Sequence, residues 1–483
     1  MGKGRAARKL VAAQEDVMAD YNRFLWEEYH ILGVDESYDT KDTDALQKRL
    51  EEYLLDAFAG MPNTTENGFY HYSIENLNCT DRIYLSESIE ELQQQIREYM
   101  KYKVTMDALQ TSLEELQKQL NQEEVKEARR KVEESDAKAK EAEEGETATK
   151  KQGEKSEKLE NEQPGSQEME EDPRKFLKDF LKLGLVEITT GREDISKEDY
   201  RMRDVVKSDS NEKEEEEKVK FEKSEEITSR LPEQVNTVSW GNQTVTKALG
   251  IEYALQHFPN ILQQEEENMQ CQCEYLIAGK NSDYANIKSV IKRILSLRFC
   301  ANFVYVLQDT AKVAEAQSVA TAIVGVTANP AIVELTTYLL LGCESYGESI
   351  LDVRALIQGE KVPFWKTAVN WRMSLSHFSQ VLNTSVQGEK TVVQETDDTA
   401  LSYEDYLRLL LWMQMDDDVK YKRMLNVMEK RGKEKQEDFQ IERMICGFKT
   451  EVTLQLSPLF VQGIWGDGGG QGYHMKFQRT VSY

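Results

Sequence analysis

At 483 residues the chain is long enough for two or three domains with sizeable cores. It is 39% hydrophobic and 31% charged, and its formal net charge of −26 repels nucleic acid and anionic membrane surfaces. Eight prolines and 26 glycines exclude a collagen-like or proline-rich chain.

The opening MGKGRAARKL is basic, but no apolar core follows it, so no signal peptide is read. Residues 5–32 read as one amphipathic helix with Leu10, Ala13, Val17, Tyr21, Phe24 and Leu25 on neighbouring turns. A second helix is expected over 42–58, with Leu46, Leu50, Tyr53, Leu54 and Phe58 along one side. Residues 71–85 have strand character. Ser88 with Glu91 three places on forms a capping-box pattern that opens a further helix. From there Ile89, Leu92, Ile96, Tyr99, Met106, Leu109, Leu113, Leu116 and Leu120 approximate a heptad, either a coiled-coil arm or a helix docked on one domain.

Residues 122–172 are almost all Glu, Lys, Ala, Ser and Gln and cannot bury enough surface to offset ordering entropy, so they read as a disordered acidic spacer. A short helix and strand follow over 173–188, then a second acidic insertion at 208–226. Residues 246–365 are the least charged stretch and read as a helical core, with Ile287, Val290, Ile291, Ile294, Leu295, Leu297 and Val304 on one face. Asp309 and Thr310 supply a start signal for a helix of small residues, and Asn329-Pro330 separates it from the next. This predicts a buried helical hairpin. Residues 319–341 are about long enough to span a membrane, but Asn329, Pro330 and Glu334 lie inside them, which favours packing in protein.

Ser402 with Asp405 gives another capping-box-like start, and the helices after it are interrupted at Asp416, Asp417 and Asp418. At the end, Phe448, Thr450, Val452, Leu454 and Leu456 alternate with polar neighbours, as do Tyr473, Met475, Phe477, Val481 and Tyr483. Period-two alternation in two runs joined by a Gly-rich loop predicts an antiparallel β-hairpin. The predicted fold class is α+β, mostly helical. Its parts are a pilin-like N-terminal helix and small α/β segment (1–87), a coiled-coil-like helix (88–121), the acidic spacer (122–172) and a main domain (173–483).

No catalytic, cofactor-binding or metal-ligating constellation emerges. The run GDGGGQG precedes a strand rather than the helix a phosphate cradle needs. Cys271 and Cys273 with His257 fall short of four zinc ligands, and the triple aspartate lacks the rest of a calcium loop. Cys343-Glu344-Ser345-Tyr346-Gly347 resembles a nucleophile elbow but sits in a helical pattern without a preceding strand. The six cysteines, Cys79, Cys271, Cys273, Cys300, Cys343 and Cys446, are scattered and make no disulfide framework. That suits a cytosolic protein, or one exported by an anaerobe.

ALGIEYALQHF, the run from CEYLIAGKNSDYANIK to AEAQSVATAIVG, and ESILDVRALIQGEKVPFWK together resemble an uncharacterised family of anaerobic Firmicutes, often encoded beside tight-adherence (Tad) pilus genes. VMADYNRFLWEEYHILGVDESY, EYMKYKV and LSYEDYLRLLLWMQ resemble other parts of that family. Such proteins open with a membrane-spanning helix, as TadE-like minor pilins do, and nothing apolar precedes Arg5 in this sequence. The resemblance implies a non-catalytic pilus or cell-envelope component, extracytoplasmic, whose partners are other envelope proteins and whose only membrane contact is an N-terminal anchor. If Met1 is the true start, a soluble cytoplasmic coiled-coil scaffold is the alternative, and an enzyme of unknown class comes third. The expected partner-contact face comprises Leu10, Val17, Tyr21, Phe24, Leu25, Ile89, Leu92, Ile96, Leu109, Leu113 and Leu116.

Overall fold

One long strand near the chain's end collects its neighbours from both ends of the sequence. The computed structural model describes residues 2–38, 44–59, 72–104, 195, 243–263, 270–324, 330–374, 400–414, 417–456 and 473–483. The expected acidic spacers, the helix and strand over 173–188, the Gly-rich loop and the arm beyond Val104 lie outside the described residues.

Strand β5 (Met444–Leu456) pairs antiparallel with β2 (Tyr72–Tyr84) along one edge. Along its other edge it pairs end to end with β6 (Tyr473–Ser482) and the short β1 (Val34–Asp35). The C-terminal strand pair predicted from alternation is therefore present, and the strand expected over 71–85 becomes its neighbour. Burial explains the register: Phe448, Thr450, Val452 and Leu454 face inward, while Glu451 is exposed. A slip of one residue would turn the whole inward set to solvent.

Helices α1 (Gly2–Ala19) and α3 (Ala45–Ala59) cover that inward face. Ala6, Leu10, Ala13 and Val17 recur at three- and four-residue spacing, as do Leu46, Leu50, Leu54 and Phe58, and all are buried between the helices and the sheet. Buried Gln14 fixes α1 over the strands by donating to Thr450 Oγ1 at 2.8 Å.

The single helix expected over 5–32 is instead two. Asn22, in extended backbone, accepts from Leu25 N at 3.1 Å and donates its own N–H to Gly33 O at 2.8 Å, which starts a new helix, α2 (Arg23–Tyr29). His30 ends it in the left-handed region with φ 53°. Apolar periodicity runs through the break because both helices bury the same kind of face.

Helix α4 (Ile89–Met100) docks on the body, with Leu92, Ile96 and Met100 buried. Ser88 is its N-cap residue, but its side chain makes no capping bond, so the box read from sequence is not closed there. The main core is built by α5 (Gln243–His257), α6 (Gln272–Ala278), α7 (Asp283–Gln308), α9 (Pro330–Ile357), α10 (Tyr403–Trp412) and α11 (Asp417–Lys435). Gly250 lets α5 approach α11 closely, since a Cβ there would lie 2.1 Å from Tyr421 Oη. The Ser402–Asp405 box closes in both directions at the start of α10.

Helix α8 (Thr310–Val324) folds back on α9, and its first turn is capped by Asp309 as expected. The hairpin exists, but burial in α8 is confined to one seam: Ala316 and Ala320 cluster with Leu340 and Leu341 of α9 and Val306 of α7, and Val324 is the only other buried residue of α8. The rest of α8 is exposed or half-buried. Small side chains serve close helix contact there, and a wholly buried hairpin is not what they make. The architecture is thus α+β and mostly helical, with helices layered on an antiparallel sheet.

Candidate functional site: an ionic root beneath a helical hairpin

Carboxylates recur at four-residue spacing on α9: Glu344, Glu348 and Asp352. That spacing stacks them on one helix face. The stripe is turned inward. Glu348 and Asp352 are fully buried, and Glu344 nearly so. Three elements supply the cations that make such burial tolerable: α7, with Arg298, α8, with Lys312, and the segment 364–373 after α9, with Lys366 and Arg372.

Arg298 is itself fully buried. Its Nε and Nη2 donate to Asp352 Oδ2 at 3.0 and 2.7 Å, and Nη2 also donates to Asn302 Oδ1 at 3.1 Å. Nη1 donates to the carbonyls of Pro363 and Phe364 at 3.1 and 2.9 Å. Every N–H of the guanidinium thereby has an acceptor. Asn302 closes the inner side by donating to Ser349 Oγ and Asp352 Oδ2, both at 3.0 Å.

The other Asp352 oxygen receives Lys366 Nζ at 2.7 Å and Arg372 Nη2 at 2.6 Å. Glu348 takes Lys366 Nζ at 2.8 Å on one oxygen, and the backbone N–H groups of Arg372 and Met373 at 3.0 and 2.8 Å on the other. Burial alone would raise the Asp352 carboxyl, but Arg298, Lys366 and Arg372 hold it well below the usual carboxylate range. Glu344 is raised by burial despite accepting from Lys312 and from Trp371 Nε1.

Chemically this is a closed set. Among the described residues each carboxylate oxygen of Glu348 and Asp352 already holds a donor, so neither is poised to take a proton from a substrate or to hold a metal. What the arrangement does is join α7, α9 and the segment 362–373 in one register. Lys312 and Asp309 sit at the start of α8, so the same cluster also roots the hairpin. Tyr305 adds to the root, donating to Asp309 Oδ2 at 3.2 Å with its ring 5.1 Å from that of Trp371.

Above this root the hairpin carries little charge. Residues 313–343 contain Glu315 and Glu334 as their only charged residues, in a chain that is 31% charged. Ile323 and Leu339 are 38% and 55% exposed. Thr321, Thr336 and Thr337 donate their hydroxyls back to carbonyls four residues earlier, so they ask for no outside partner. No described helix is long and apolar enough to cross a membrane.

The expected partner face is used differently. Leu10 and Val17 lie in the helix-on-sheet core, and Phe24, Leu25, Leu92 and Ile96 in the main core. Burial against the chain's own elements takes these six off the surface. Ile89 is half-buried against the main core, and Tyr21 lines an open groove of about 530 Å³ with Arg479 and Tyr483. Leu109, Leu113 and Leu116 lie outside the described residues. In the elbow-like run, Ser345 is buried and donates to Leu341 O at 2.8 Å, as an ordinary helical serine does. Cys271 and Cys273 are buried, whereas His257 turns Nδ1 toward Glu28 O at 3.0 Å.

Fold and site define a class: an α+β protein with a buried ionic cluster at the root of a helical hairpin of low charge. The chain belongs to the family of unknown function DUF5702, which it matches over residues 163–456. That span holds the whole ionic root and the hairpin. It ends on β5, so β1, β2 and β6 complete the sheet from outside it. No curated protein and no solved structure matches the chain.

Proposed function

We propose that the protein is a non-catalytic structural or assembly component of a cell-envelope system, of the Tad pilus type, acting through helix-mediated contacts with other envelope proteins. The resemblance noted in the sequence motivates the pilus assignment. The observation that carries the contact mechanism is the hairpin: two helices with exposed Ile323 and Leu339, held at their base by buried ion pairs. A rigid root is what a projecting contact element needs, because ordering it on binding then costs little. The fully partnered carboxylates favour a scaffold over a reaction centre.

The test is co-purification of tagged protein with pilus components from the envelope fraction of its own cells. The variant carrying Ile323→Glu and Leu339→Glu changes exposed side chains only and is expected to stay folded but lose that association. Recovery from the soluble cytoplasmic fraction would overturn the envelope reading. Undiminished association of the variant would overturn the hairpin's role.

A further inference from the structure

Two of the five histidines, far apart in sequence, meet where the segment around α2 and α4 rests on α5. The rings of His30 and His257 lie 5.5 Å apart, half-buried and flanked by aromatic rings. Tyr99 of α4 stacks on His30 at 4.4 Å and approaches His257 at 5.6 Å. Tyr253 of α5 is 4.6 Å from His257, and Trp26 of α2 is 5.4 Å from His30.

The hydrogen bonds define the charge state this joint accepts. His257 Nδ1 faces Glu28 O at 3.0 Å, and a carbonyl requires a donor, so the proton sits on Nδ1. His257 Nε2 is then a bare lone pair, buried and without a partner, and His30 Nδ1 is buried and without a partner as well. The charged groups around the pair offer no compensation. Lys103 of α4 lies over the Tyr99 ring at 5.6 Å and repels a charge on either imidazole. The Glu28 carboxylate of α2 is engaged by Lys435 of α11. Tyr253 gives its hydroxyl to Tyr29 O at 2.7 Å.

We infer that this histidine pair is an acid-sensitive joint: protonating it loosens α2 and α4 from α5 while the sheet stays intact. Protonating His257 would put an N–H on Nε2, a buried atom without an acceptor, next to His30 and Lys103. Burial and then Lys103 pull His30 below the ordinary histidine value; for His257 burial outweighs the opposing pull of the Glu28 carbonyl, with His30 and Lys103 adding to the lowering. The sign follows. A depressed folded-state pKa gives stability that is present above about pH 6.5 and lost as pH falls through the folded value. The inference does not depend on the pilus reading.

Hydrogen exchange of the full chain, corrected for the intrinsic pH effect, tests it between about pH 7 and about pH 5. Segments 22–33 and 89–104 are expected to lose protection by about tenfold for each unit of pKa depression, while β2 and β5 keep theirs. The double variant His30→Phe with His257→Gln preserves ring stacking on Tyr99 and a donor for the Glu28 carbonyl, and should hold protection across that range. Flat protection in the wild type, or equal loss in the sheet, overturns the joint. Should the variant fold poorly, NMR titration of the wild-type imidazoles decides: a value for either ring at or above about 6.5 overturns it.

Discussion

Arg298 and Asp352 show how an interior can hold charge without offering it to a ligand. Both are fully buried, and each spends its whole hydrogen-bonding capacity on neighbours from three parts of the chain. Removing the Asp352 charge strands Arg298, whose other acceptors are neutral, and a stranded buried charge costs about 3–5 kcal/mol. Asp352→Asn is therefore expected to destabilise by that order in urea unfolding, and pairing it with Arg298→Met should recover part of the loss. If the double variant is as damaged as the sum of the singles, the two residues do not act as a unit. Glu274 is a different case. It is fully buried without a cation, one oxygen accepting from Ile261 N and Tyr403 Oη and the other unpartnered, and burial pushes its carboxyl up to about 7. Its contribution is favourable below its unfolded value near 4.5 and is lost as pH rises through about 7. Glu274→Gln keeps an acceptor for both donors, so it should stabilise the protein above neutral pH by about 2 kcal/mol and flatten its urea midpoint between about pH 5 and about pH 8. An unchanged pH profile would show that Glu274 does not titrate there. None of these residues was legible as a site in the sequence. The four-residue carboxylate stripe of α9 lay inside a stronger apolar periodicity, and the cations that neutralise it come from residues 54 positions before and 14 and 20 after Asp352, a pairing that only folding reveals.

At the scale of elements, the same local signal led to two outcomes. Ser88 and Ser402 each precede an acidic residue by three places and each begins a helix. Only Ser402 closes the box, its Oγ accepting from Asp405 N at 3.2 Å while Asp405 Oδ2 accepts from Ser402 N at 2.9 Å. Helix α4 is held instead by packing, through Leu92, Ile96 and Met100 against the main core. Ser402→Ala should accordingly cost about 1 kcal/mol and Ser88→Ala close to nothing. Equal losses in thermal unfolding would mean that the Ser88 side chain caps in solution. Periodicity found most helices because a packed face leaves a repeat of three and four residues. It missed the break at Asn22, where one side chain and one backbone bond redirect the chain without disturbing the repeat. It also overstated the burial of α8, where alanines mark a narrow seam and not an enclosed helix.

For the whole molecule, β5 is the element on which distant parts depend. Its Met444 and Cys446 belong to the main core, while Ile445, Phe448, Val452 and Leu454 belong to the core under α1 and α3. The strand thus couples two apolar bodies through one backbone, and it holds residues 72–84 along one edge and residues 34–35 and 473–482 along the other. Alternation in sequence identified the C-terminal strand pair, but not that β1 and β2 pair with β5, since register over such a separation is set by burial and not by any local pattern. Phe448 is fully buried at this junction, and Phe448→Ala should cost about 3–5 kcal/mol. Because the loss falls on the shared strand, hydrogen exchange should rise in α1 and α3 and in β2 and β6 together. Ala316→Leu, which overpacks the α8–α9 seam, should cost about 1–3 kcal/mol and raise exchange in the hairpin alone. A Phe448→Ala effect confined to α1 and α3 would show that the sheet does not transmit stability between the two bodies, and the hairpin's local response supplies the control for that comparison.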